Sequence, residues 1–217
     1  METATPVRRK APRPRADALR NRERIVTAAR EMFVEFGPEV PLDEIARRAG
    51  VGNATLYRNF PDRDALVREV VCSVMDRTVL AAEAALTETG DAFEALSRFV
   101  HTSADERVSA LCPMIQSTFD RYHPDLEAAR ERLEEQVERI MRRAREAGRL
   151  RADVGVGDLM IAVSQLSRPP AGALCAGVDP FVHRHLQLFL DGLRAPAASE
   201  LPGTPVTVAE LRRTCPS

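Results

Sequence analysis

Aromatic residues are scarce in this sequence, and tryptophan is absent altogether. Only 5% of the 217 residues are aromatic, whereas Ala, Leu, Glu and Arg dominate. Strands favour aromatic and β-branched residues, and helices favour the residues that dominate here. No strand-like alternation of apolar and polar residues is found along the chain. The sequence therefore predicts an all-α globular protein.

Metal-ligand spacings and catalytic motifs are also missing. The four cysteines, Cys72, Cys112, Cys175 and Cys215, form no CxxC pair and have no histidine at a zinc-ligand spacing. The sequence has no Gly-rich phosphate loop and no nucleophile motif around Ser, Cys or His. We therefore expect no metal and no cofactor, and the sequence argues against an enzyme.

Long apolar runs are absent as well. No run approaches the roughly 18 residues that a membrane-spanning helix needs. The Arg-rich N-terminus is not followed by the apolar segment of a secretion signal. These absences predict a cytoplasmic protein with no membrane partner.

Charge is unevenly distributed along the chain. The formal net charge of −1 argues by itself against a nucleic-acid partner, but residues 1–66 hold 13 Lys and Arg against 10 Asp and Glu. The N-terminal part therefore carries a net charge of +3, and the remainder carries −4. Residues 1–16 have three prolines and a basic cluster, which predicts a disordered tail. This tail either contacts DNA phosphates or only aids solubility.

Three helices are predicted after this tail, from the spacing of apolar residues and the glycines that interrupt it. Their bounds are 17–36, 42–49 and 53–59. The third helix is too short to be stable alone, so Leu56 and Phe60 must hold it against the other two. Two short helices joined by a tight glycine turn are typical of a helix-turn-helix.

The first of these helices contains IVTAAREMFVEFG, and the next two lie in LDEIARRAGVGNATLYRNFPDRDALVREV. Over about residues 20–70, their residue types and spacings closely resemble the DNA-binding domain of TetR-family transcriptional regulators. The resemblance implies a helix-turn-helix domain over residues 17–61 and a helical effector-binding and dimerisation domain over residues 62–194. It further implies a homodimer that represses from an inverted-repeat operator in double-stranded DNA and is released by an unknown small-molecule effector. Activation instead of repression would depend on where the operator lies relative to the promoter.

A recognition helix needs small or polar residues at its exposed N-terminal end, so that its backbone can approach the base edges. Asn53 can pair with adenine, and Thr55 can donate to an acceptor or contact a thymine methyl. In family members, the positions of Tyr57, Asn59 and Arg63 contact DNA phosphates. The predicted DNA-binding residues are Gly52, Asn53, Ala54, Thr55, Tyr57, Asn59 and Arg63. The alternative is that the tyrosine only packs and the polar residues form a solvated face.

Four positions depart from the family pattern. Gly52 replaces the usual Ser, which removes a hydroxyl cap from the third helix at a cost of about 0.5 kcal/mol. Pro41 replaces a hydroxyl residue before the second helix, so a phosphate contact there is in doubt. Asn59 replaces the common His and Arg63 the common Lys, but both keep donors. The first two departures favour an alternative, a helical sensor or scaffold with weak or lost DNA binding, and the intact remainder of the motif argues against it.

Apolar periodicity and helix breakers predict six further helices, and Asp62 is the candidate cap of the first. Their bounds are about 62–89, 91–103, 105–121, 124–148, 156–168 and 179–193. Residues 195–217 are rich in Pro and Ala, which predicts a mostly disordered tail with a weak helix near Val208–Arg213.

Two of these helices, predicted over 156–168 and 179–193, are apolar over wider arcs than one core face requires. By the family resemblance they form a four-helix dimer interface. The predicted interface residues are Leu159, Val163, Leu166, Phe181, Leu186, Phe189 and Leu190. The alternative is ordinary core packing within one subunit.

An effector cavity is expected among the helices over 91–121 and 156–168, because their large apolar side chains offer adaptable walls. The candidate polar anchors are Gln116, His123 and Gln165. His123 fits the end of a helix equally well. The predicted pocket residues are Phe93, Leu96, Met114, Gln116, Phe119, Tyr122, His123, Met141, Met160 and Gln165.

Overall fold

The computed structural model describes residues 14–37, 39–106, 123–167 and 179–214. The chain divides into two compact units, Met1–Leu66 and Val67–Ser217. The boundary lies a few residues after the position that the sequence predicted, at 61.

The described residues hold nine helices. These are α1 (Pro14–Phe36), α2 (Leu42–Ala49), α3 (Asn53–Asn59), α4 (Arg63–Thr87), α5 (Ala92–Asp105), α6 (Pro124–Glu146), α7 (Val156–Leu166), α8 (Asp179–Gly192) and α9 (Val208–Thr214). The same residues contain no strand, and an isolated bridge pairs Leu150 with Arg194, so the all-α prediction is confirmed. Of the described helices, none is long and apolar enough to span a bilayer. The helix predicted over 105–121 lies almost entirely outside the described residues.

Residues at the helix ends explain several of these bounds. Gly37 ends α1 with φ of 86°, and its N–H closes the last turn of α1 at 3.0 Å. The N–H of Ala65 donates to Asp62 Oδ1 at 2.7 Å, so the predicted cap of α4 is confirmed. Helix α1 begins at Pro14, before the predicted start at Asp17. Proline fits there because an N–H in the first turn would have no helical partner.

The first unit is built on α1, against which α2 and α3 pack. Ile25 on α1, Ile45 on α2 and Leu56 on α3 are fully buried, so the three helices share one apolar centre. Full burial of such a side chain stabilises by about 1.5–3 kcal/mol. Because α3 has only 7 residues, its position depends on buried Leu56 and Phe60, as the sequence predicted.

The second unit is organised around α5, which packs against α6, α7 and α8. Phe93, Leu96 and Val100 recur on α5 at helical spacing and are fully buried. On α6 a stripe of buried residues faces the core, comprising Leu126, Ala129, Leu133, Gln136, Val137, Ile140, Met141 and Ala144. Arg143 on α6 donates to the carbonyl oxygen of Leu86 at 3.0 Å, which satisfies an otherwise unpaired group at the end of α4.

The segment 195–214 contacts α7, whereas the sequence predicted a mostly disordered tail. The N–H of Val206 donates to Asp158 Oδ2 at 3.1 Å, and its carbonyl oxygen accepts from the N–H of Gly157 at 2.9 Å. A Cβ on Gly155 or Gly157 would come within 2.4 or 2.5 Å of that carbonyl oxygen, so both glycines permit the contact. The prediction is wrong for this segment because its contacts join residues distant in sequence, which local composition does not reveal.

Arg151 anchors the same segment. Its buried guanidinium donates to the carbonyl oxygens of Gly192 at 3.2 Å and Ser199 at 2.7 Å. It also pairs with Asp153 at 2.6 Å, and this hydrogen bond lowers the pKa of Asp153 to about 2. The guanidinium is therefore buried with its charge paired and hydrogen-bonded, as burial of a charge requires.

Candidate nucleic-acid interface and effector cavity

Helices α2 and α3 meet at a turn whose geometry depends on glycine. Gly50 has φ of 64°, in the left-handed region. The N–H groups of Gly50 and Val51 donate to the carbonyl oxygens of Arg47 and Ala46, both at 3.0 Å, which satisfies the last turn of α2. A side chain at position 50 would be strained at this φ and would meet Arg24 Nη2 at 2.5 Å. Gly50 therefore sets the angle at which the chain enters α3.

The N-terminal end of α3 is open to solvent. Gly52, Asn53 and Ala54 are exposed, and Thr55 is half-buried. Gly52 makes no side-chain cap, and its carbonyl oxygen accepts from the N–H of Thr55 at 2.8 Å. Small side chains at this end leave the backbone accessible to base edges, as binding in a major groove requires. These four predicted DNA-binding residues thus form one surface.

Tyr57 and Arg58 extend this surface along α3. Tyr57 is 48% exposed, so its side chain is accessible to a phosphate. Arg58 is also exposed, although it is not among the DNA-binding residues predicted from the sequence. Its place between two predicted contact residues, together with the affinity of guanidinium for phosphate, is the signal that would have found it.

Asn59 and Arg63, the remaining predicted residues, are half-buried and bond inside the first unit. Asn59 Nδ2 donates to the carbonyl oxygen of Thr55 at 2.8 Å, and Arg63 Nη2 donates to that of Val40 at 2.6 Å. A guanidinium has five N–H donors, so Arg63 can bond Val40 and a phosphate together. Their phosphate contacts stay predictions, and the structure adds a role in holding the ends of α3 and α4.

Arg22 on α1 supports the C-terminal end of α3, and sequence reasoning missed it. Its Nη1 donates to the carbonyl oxygen of Asn59 at 3.2 Å, and its guanidinium carbon lies 4.5 Å from the centroid of the Phe60 ring. A cation–π contact of this kind contributes about 0.5–1 kcal/mol at an exposed site. Apolar periodicity locates buried side chains but not a polar side chain that bridges two helices.

The start of α2 offers little to a phosphate. Pro41 precedes the helix and makes no side-chain cap, and the first turn carries Asp43 and Glu44. These carboxylates interact favourably with the positive end of the helix dipole, but they repel a phosphate. The doubt that the sequence raised about a contact here therefore has a local electrostatic reason.

The second unit contains a small cavity among α4, α5, α6 and α7, with a volume of about 130 Å³. It is lined by Thr78, Phe99, Ser103, Leu133, Val137, Leu159, Met160, Val163, Ser164 and Ser167. Pockets for drug-sized ligands measure about 300–1,000 Å³. The cavity therefore has room for a very small molecule or for one part of a larger one.

Hydroxyl groups supply the polar atoms of this cavity. Thr78 Oγ1 donates to the carbonyl oxygen of Val74 at 2.9 Å, and Ser103 Oγ donates to that of Phe99 at 2.7 Å. Ser167 Oγ is buried and has no hydrogen-bond partner within the described part of the chain. A buried polar group without a partner costs about 1–3 kcal/mol. Ser167 is therefore a candidate anchor for a polar atom of a ligand.

Of the predicted pocket residues that the structure describes, Met160 alone lines this cavity. Phe93, Leu96 and Met141 are fully buried in the core, and Gln165 is exposed. His123 lies at the start of α6, where its Nδ1 accepts from the N–H of Asp125 at 3.3 Å, as the helix-end alternative proposed. The other predicted residues, Met114, Gln116, Phe119 and Tyr122, lie outside the described residues. Apolar periodicity did not distinguish a cavity wall from ordinary core.

Three of the predicted interface residues belong to the core of one subunit. Leu159, Leu186 and Leu190 are at most 2% exposed, so they present no surface to a second copy. This is the alternative of ordinary core packing, and it corrects the prediction at these positions.

Other apolar residues of α7 and α8 do lie at the surface. Phe181 is 61% exposed, and Val163, Leu166 and Phe189 are half-buried. Ile161 and Leu188, which the sequence analysis did not select, are 40% and 59% exposed. Contiguous exposed apolar surface commonly marks a protein interface.

A three-helix unit with an exposed recognition helix, followed in the chain by a larger helical unit, defines a helix-turn-helix regulator with a separate second domain. Two family models match the chain. "Bacterial regulatory proteins, tetR family" matches residues 25–70, and "Transcriptional regulator SbtR-like, C-terminal domain" matches residues 88–195. The chain belongs to the TetR family, which is a family of transcription regulators and not of enzymes.

Solved structures and curated relatives agree with this assignment. The TetR transcription regulatory protein from Mycobacterium vanbaalenii is 32% identical, with a TM-score of 0.60 over 83% of this chain and 99% of that chain. LfrR from Mycobacterium smegmatis, in complex with proflavine, has a TM-score of 0.61 over 85% of this chain and 99% of its own, but at 20% identity it shows the fold alone. The HTH-type transcriptional regulator SAB2452 from Staphylococcus aureus is 41% identical over 58 residues, which are 26% of this chain and 31% of that protein. The first curated relatives are matched over only 31% to 42% of their own length.

Proposed function

We propose that this chain is a homodimeric repressor that binds an inverted-repeat operator and leaves it when a small molecule binds the second unit. The observation that carries the DNA-binding part is the exposed N-terminal end of α3. Its small and polar residues face solvent, while buried Leu56 and Phe60 fix the helix against α1 and α2. A short helix held this way presents its backbone and side chains to base edges in a fixed orientation.

The dimer part of the proposal rests on the exposed apolar residues of α7 and α8. Ile161, Phe181 and Leu188 are large side chains that a second copy would cover. A two-fold dimer presents two α3 helices to successive major grooves about 34–36 Å apart, and the operator then has matching two-fold symmetry.

The effector part rests on the cavity lined by α4, α5, α6 and α7. Its walls are apolar, and the buried Ser167 hydroxyl has no partner among the described residues. These features suit a small, largely apolar molecule with one polar group. The LfrR structure contains proflavine, and we propose by analogy that a ligand binds this chain too. Such a ligand weakens DNA binding only by favouring one of two conformations, typically with about 1–3 kcal/mol of coupling.

A helical sensor with weak or lost DNA binding is the second candidate. It is favoured by the hydrogen bonds that Asn59 and Arg63 make inside the first unit, and by the missing side-chain caps at Pro41 and Gly52. Under this alternative, α3 would bind DNA without sequence preference.

Selection of bound DNA from a random duplex pool, at two salt concentrations, separates the two candidates. The proposed function predicts an inverted-repeat consensus that is enriched at both concentrations. Weak binding without a consensus, which falls steeply with salt, would instead indicate phosphate contacts alone and support the second candidate.

A further inference from the structure

Two histidines, His101 on α5 and His183 on α8, form a cluster that belongs to neither the DNA-binding surface nor the cavity. Their Nδ1 atoms lie 2.9 Å apart, and their ring centroids lie 5.1 Å apart. This centroid distance is that of two imidazoles that meet end to end, so each Nδ1 points at the other. Both side chains are half-buried.

The outer nitrogen of each ring contacts an acceptor. His183 Nε2 lies 2.9 Å from Asp105 Oδ1, and an ionised carboxylate only accepts, so this Nε2 carries a hydrogen. His101 Nε2 lies 3.2 Å from Gln187 Oε1. The amide of Gln187 is held in that orientation because its Nε2 donates to Asp191 Oδ1 at 2.9 Å. His101 Nε2 therefore carries a hydrogen as well.

A neutral imidazole has one N–H, so with both hydrogens on Nε2 the two Nδ1 atoms would face each other as lone pairs. Two lone pairs 2.9 Å apart repel. While both Nε2 atoms keep their hydrogens, the contact becomes attractive only with a cation between the two Nδ1 atoms. A metal ion midway would lie half of 2.9 Å from each nitrogen, well short of the about 2.0–2.1 Å of a metal–imidazole bond. Among the described residues no group of three or more His, Cys, Asp or Glu is placed to hold a metal. A proton fits this distance as an N–H···N hydrogen bond.

We propose that His101 and His183 share one proton and thereby form a proton-dependent clasp between α5 and α8. With the proton bound, the His183 imidazolium donates through Nε2 to Asp105 and through Nδ1 to His101, and both are charge-assisted hydrogen bonds. At higher pH the shared proton is lost and the two lone pairs repel. At lower pH both rings are charged and repel each other. The contact between α5 and α8 is therefore strongest between these limits.

Charged groups of both signs lie near the clasp. Asp105 on α5 contacts His183 directly, and Asp191 on α8 lies behind Gln187. Neighbouring cations are Arg98, which precedes His101 by about one turn and pairs with Glu88, and Arg184, which is exposed beside His183. Helices α6 and α7 also pack on α5, but within the described residues neither supplies a recorded contact to either ring.

The clasp connects two helices that carry the proposed functions of the second unit. Phe99 and Ser103 of α5 line the cavity, and Phe181 and Leu188 of α8 belong to the exposed apolar surface. A change in the α5–α8 contact would therefore alter the response to an effector with pH. This consequence rests on the proposed function, whereas the clasp itself does not.

Long-range proton–nitrogen spectra of the full chain labelled with ¹⁵N-histidine, recorded from pH 5 to 9, test the clasp directly. His185 is the internal reference, because it is exposed on α8 and its Nδ1 donates to the carbonyl oxygen of Phe181 at 2.6 Å. We expect His101 and His183 to carry hydrogen on Nε2 throughout and to hold one further proton between their Nδ1 atoms. A neutral Nδ1–H form of either ring at neutral pH, or two independent titrations, would overturn the proposal.

Thermal unfolding over the same pH range supplies a second test that needs no assignment of spectra. The wild-type Tm should pass through a maximum as pH is varied. In His101→Gln and in His183→Gln, Tm at this maximum should fall by about 2–4 °C, the shift expected when a chain of this size loses roughly 1 kcal/mol of stability. His185→Gln should keep the wild-type profile, and neither EDTA nor Ni²⁺ should change it. If both clasp variants kept the wild-type maximum, the histidines would not share a stabilising proton. If Ni²⁺ stabilised the protein only when both histidines were present, the pair would be a metal site instead. Neither test involves DNA, so failure of the clasp and failure of the proposed function remain distinguishable.

Discussion

The exposed faces of α3 and α8 differ in chemistry. Near its N-terminal end, α3 exposes Asn53 and Ala54, which are small, whereas α8 exposes Phe181 and Leu188, which are large and apolar. Small polar side chains let a backbone approach base edges, and large apolar side chains gain most when another protein covers them. We therefore propose that the first surface binds DNA and that a second copy of the chain covers the other.

The largest effect is expected from the residue that holds α3 in place. Leu56→Ala should lower the free energy of unfolding by about 2–5 kcal/mol, because it leaves a cavity under a helix that is too short to persist alone. Urea unfolding followed by circular dichroism measures this change. The control, Leu19→Ala, removes a side chain that is 63% exposed in the same unit and should have little effect. Equal losses in both variants would mean that Leu56 does not organise the unit.

A smaller effect is expected from negative charges placed on α8, which should weaken the proposed dimer. The double variant Phe181→Glu, Leu188→Glu should raise the dimer dissociation constant at least about 30-fold, because interface anchors contribute about 2 kcal/mol or more. Sedimentation equilibrium gives this constant. Leu201→Glu, at a residue that is 45% exposed in the same unit, is the matched control. A dimer that survives the double variant but not the control would relocate the interface.

The third-largest effect is expected when exposed side chains of α3 are removed, which should weaken DNA binding. Tyr57→Ala and Arg58→Ala should each reduce operator affinity about tenfold, equivalent to about 1.4 kcal/mol. Arg58→Ala should also lower the slope of log affinity against log salt by about one phosphate contact. Fluorescence anisotropy with labelled operator measures both quantities. The DNA-binding surface would be misplaced if these variants behaved like Arg213→Ala, which removes an exposed charge in the other unit.

The smallest expected effect is a gain at the start of α3. Gly52→Ser should stabilise the first unit by about 0.5 kcal/mol, since serine caps a helix and a Cβ at Gly52 meets nothing within 4 Å. Gly37→Ser is the contrasting variant, because φ of 86° at Gly37 strains any other residue. Chemical denaturation should move the two midpoints in opposite directions. A destabilised Gly52→Ser protein would show that the glycine is needed for the turn itself.

The first unit was the more predictable from sequence. The bounds of α2 and α3 agree with the predicted ranges because Pro41 and Gly50 flank one helix, and Gly52 and Pro61 flank the other. Proline and glycine act through local backbone conformation, which a single sequence reveals. The inward hydrogen bonds of Asn59 and Arg63 were not predictable, since they depend on tertiary packing.

The second unit was less predictable, and the errors share a cause. Periodicity identified α7 and α8 as apolar over wide arcs but placed Leu159, Leu186 and Leu190 at an interface, where the structure buries them in the core. Likewise, the contact of Val206 with Gly157 is invisible to composition. In both cases the deciding contacts join residues that are distant in sequence, and neither spacing nor composition records them.

We propose that two α3 helices bind one operator through a two-fold dimer, and a change in the spacing of the operator half-sites is the decisive experiment. The selected operator is compared with versions that carry about 5 or about 10 extra base pairs between its half-sites, that is, half a helical turn or one full turn. The half-turn insertion should abolish tight binding, because the second half-site then faces away from the dimer. The full-turn insertion should restore part of that binding. Affinity that does not change with either insertion would show that the two α3 helices do not bind one operator together.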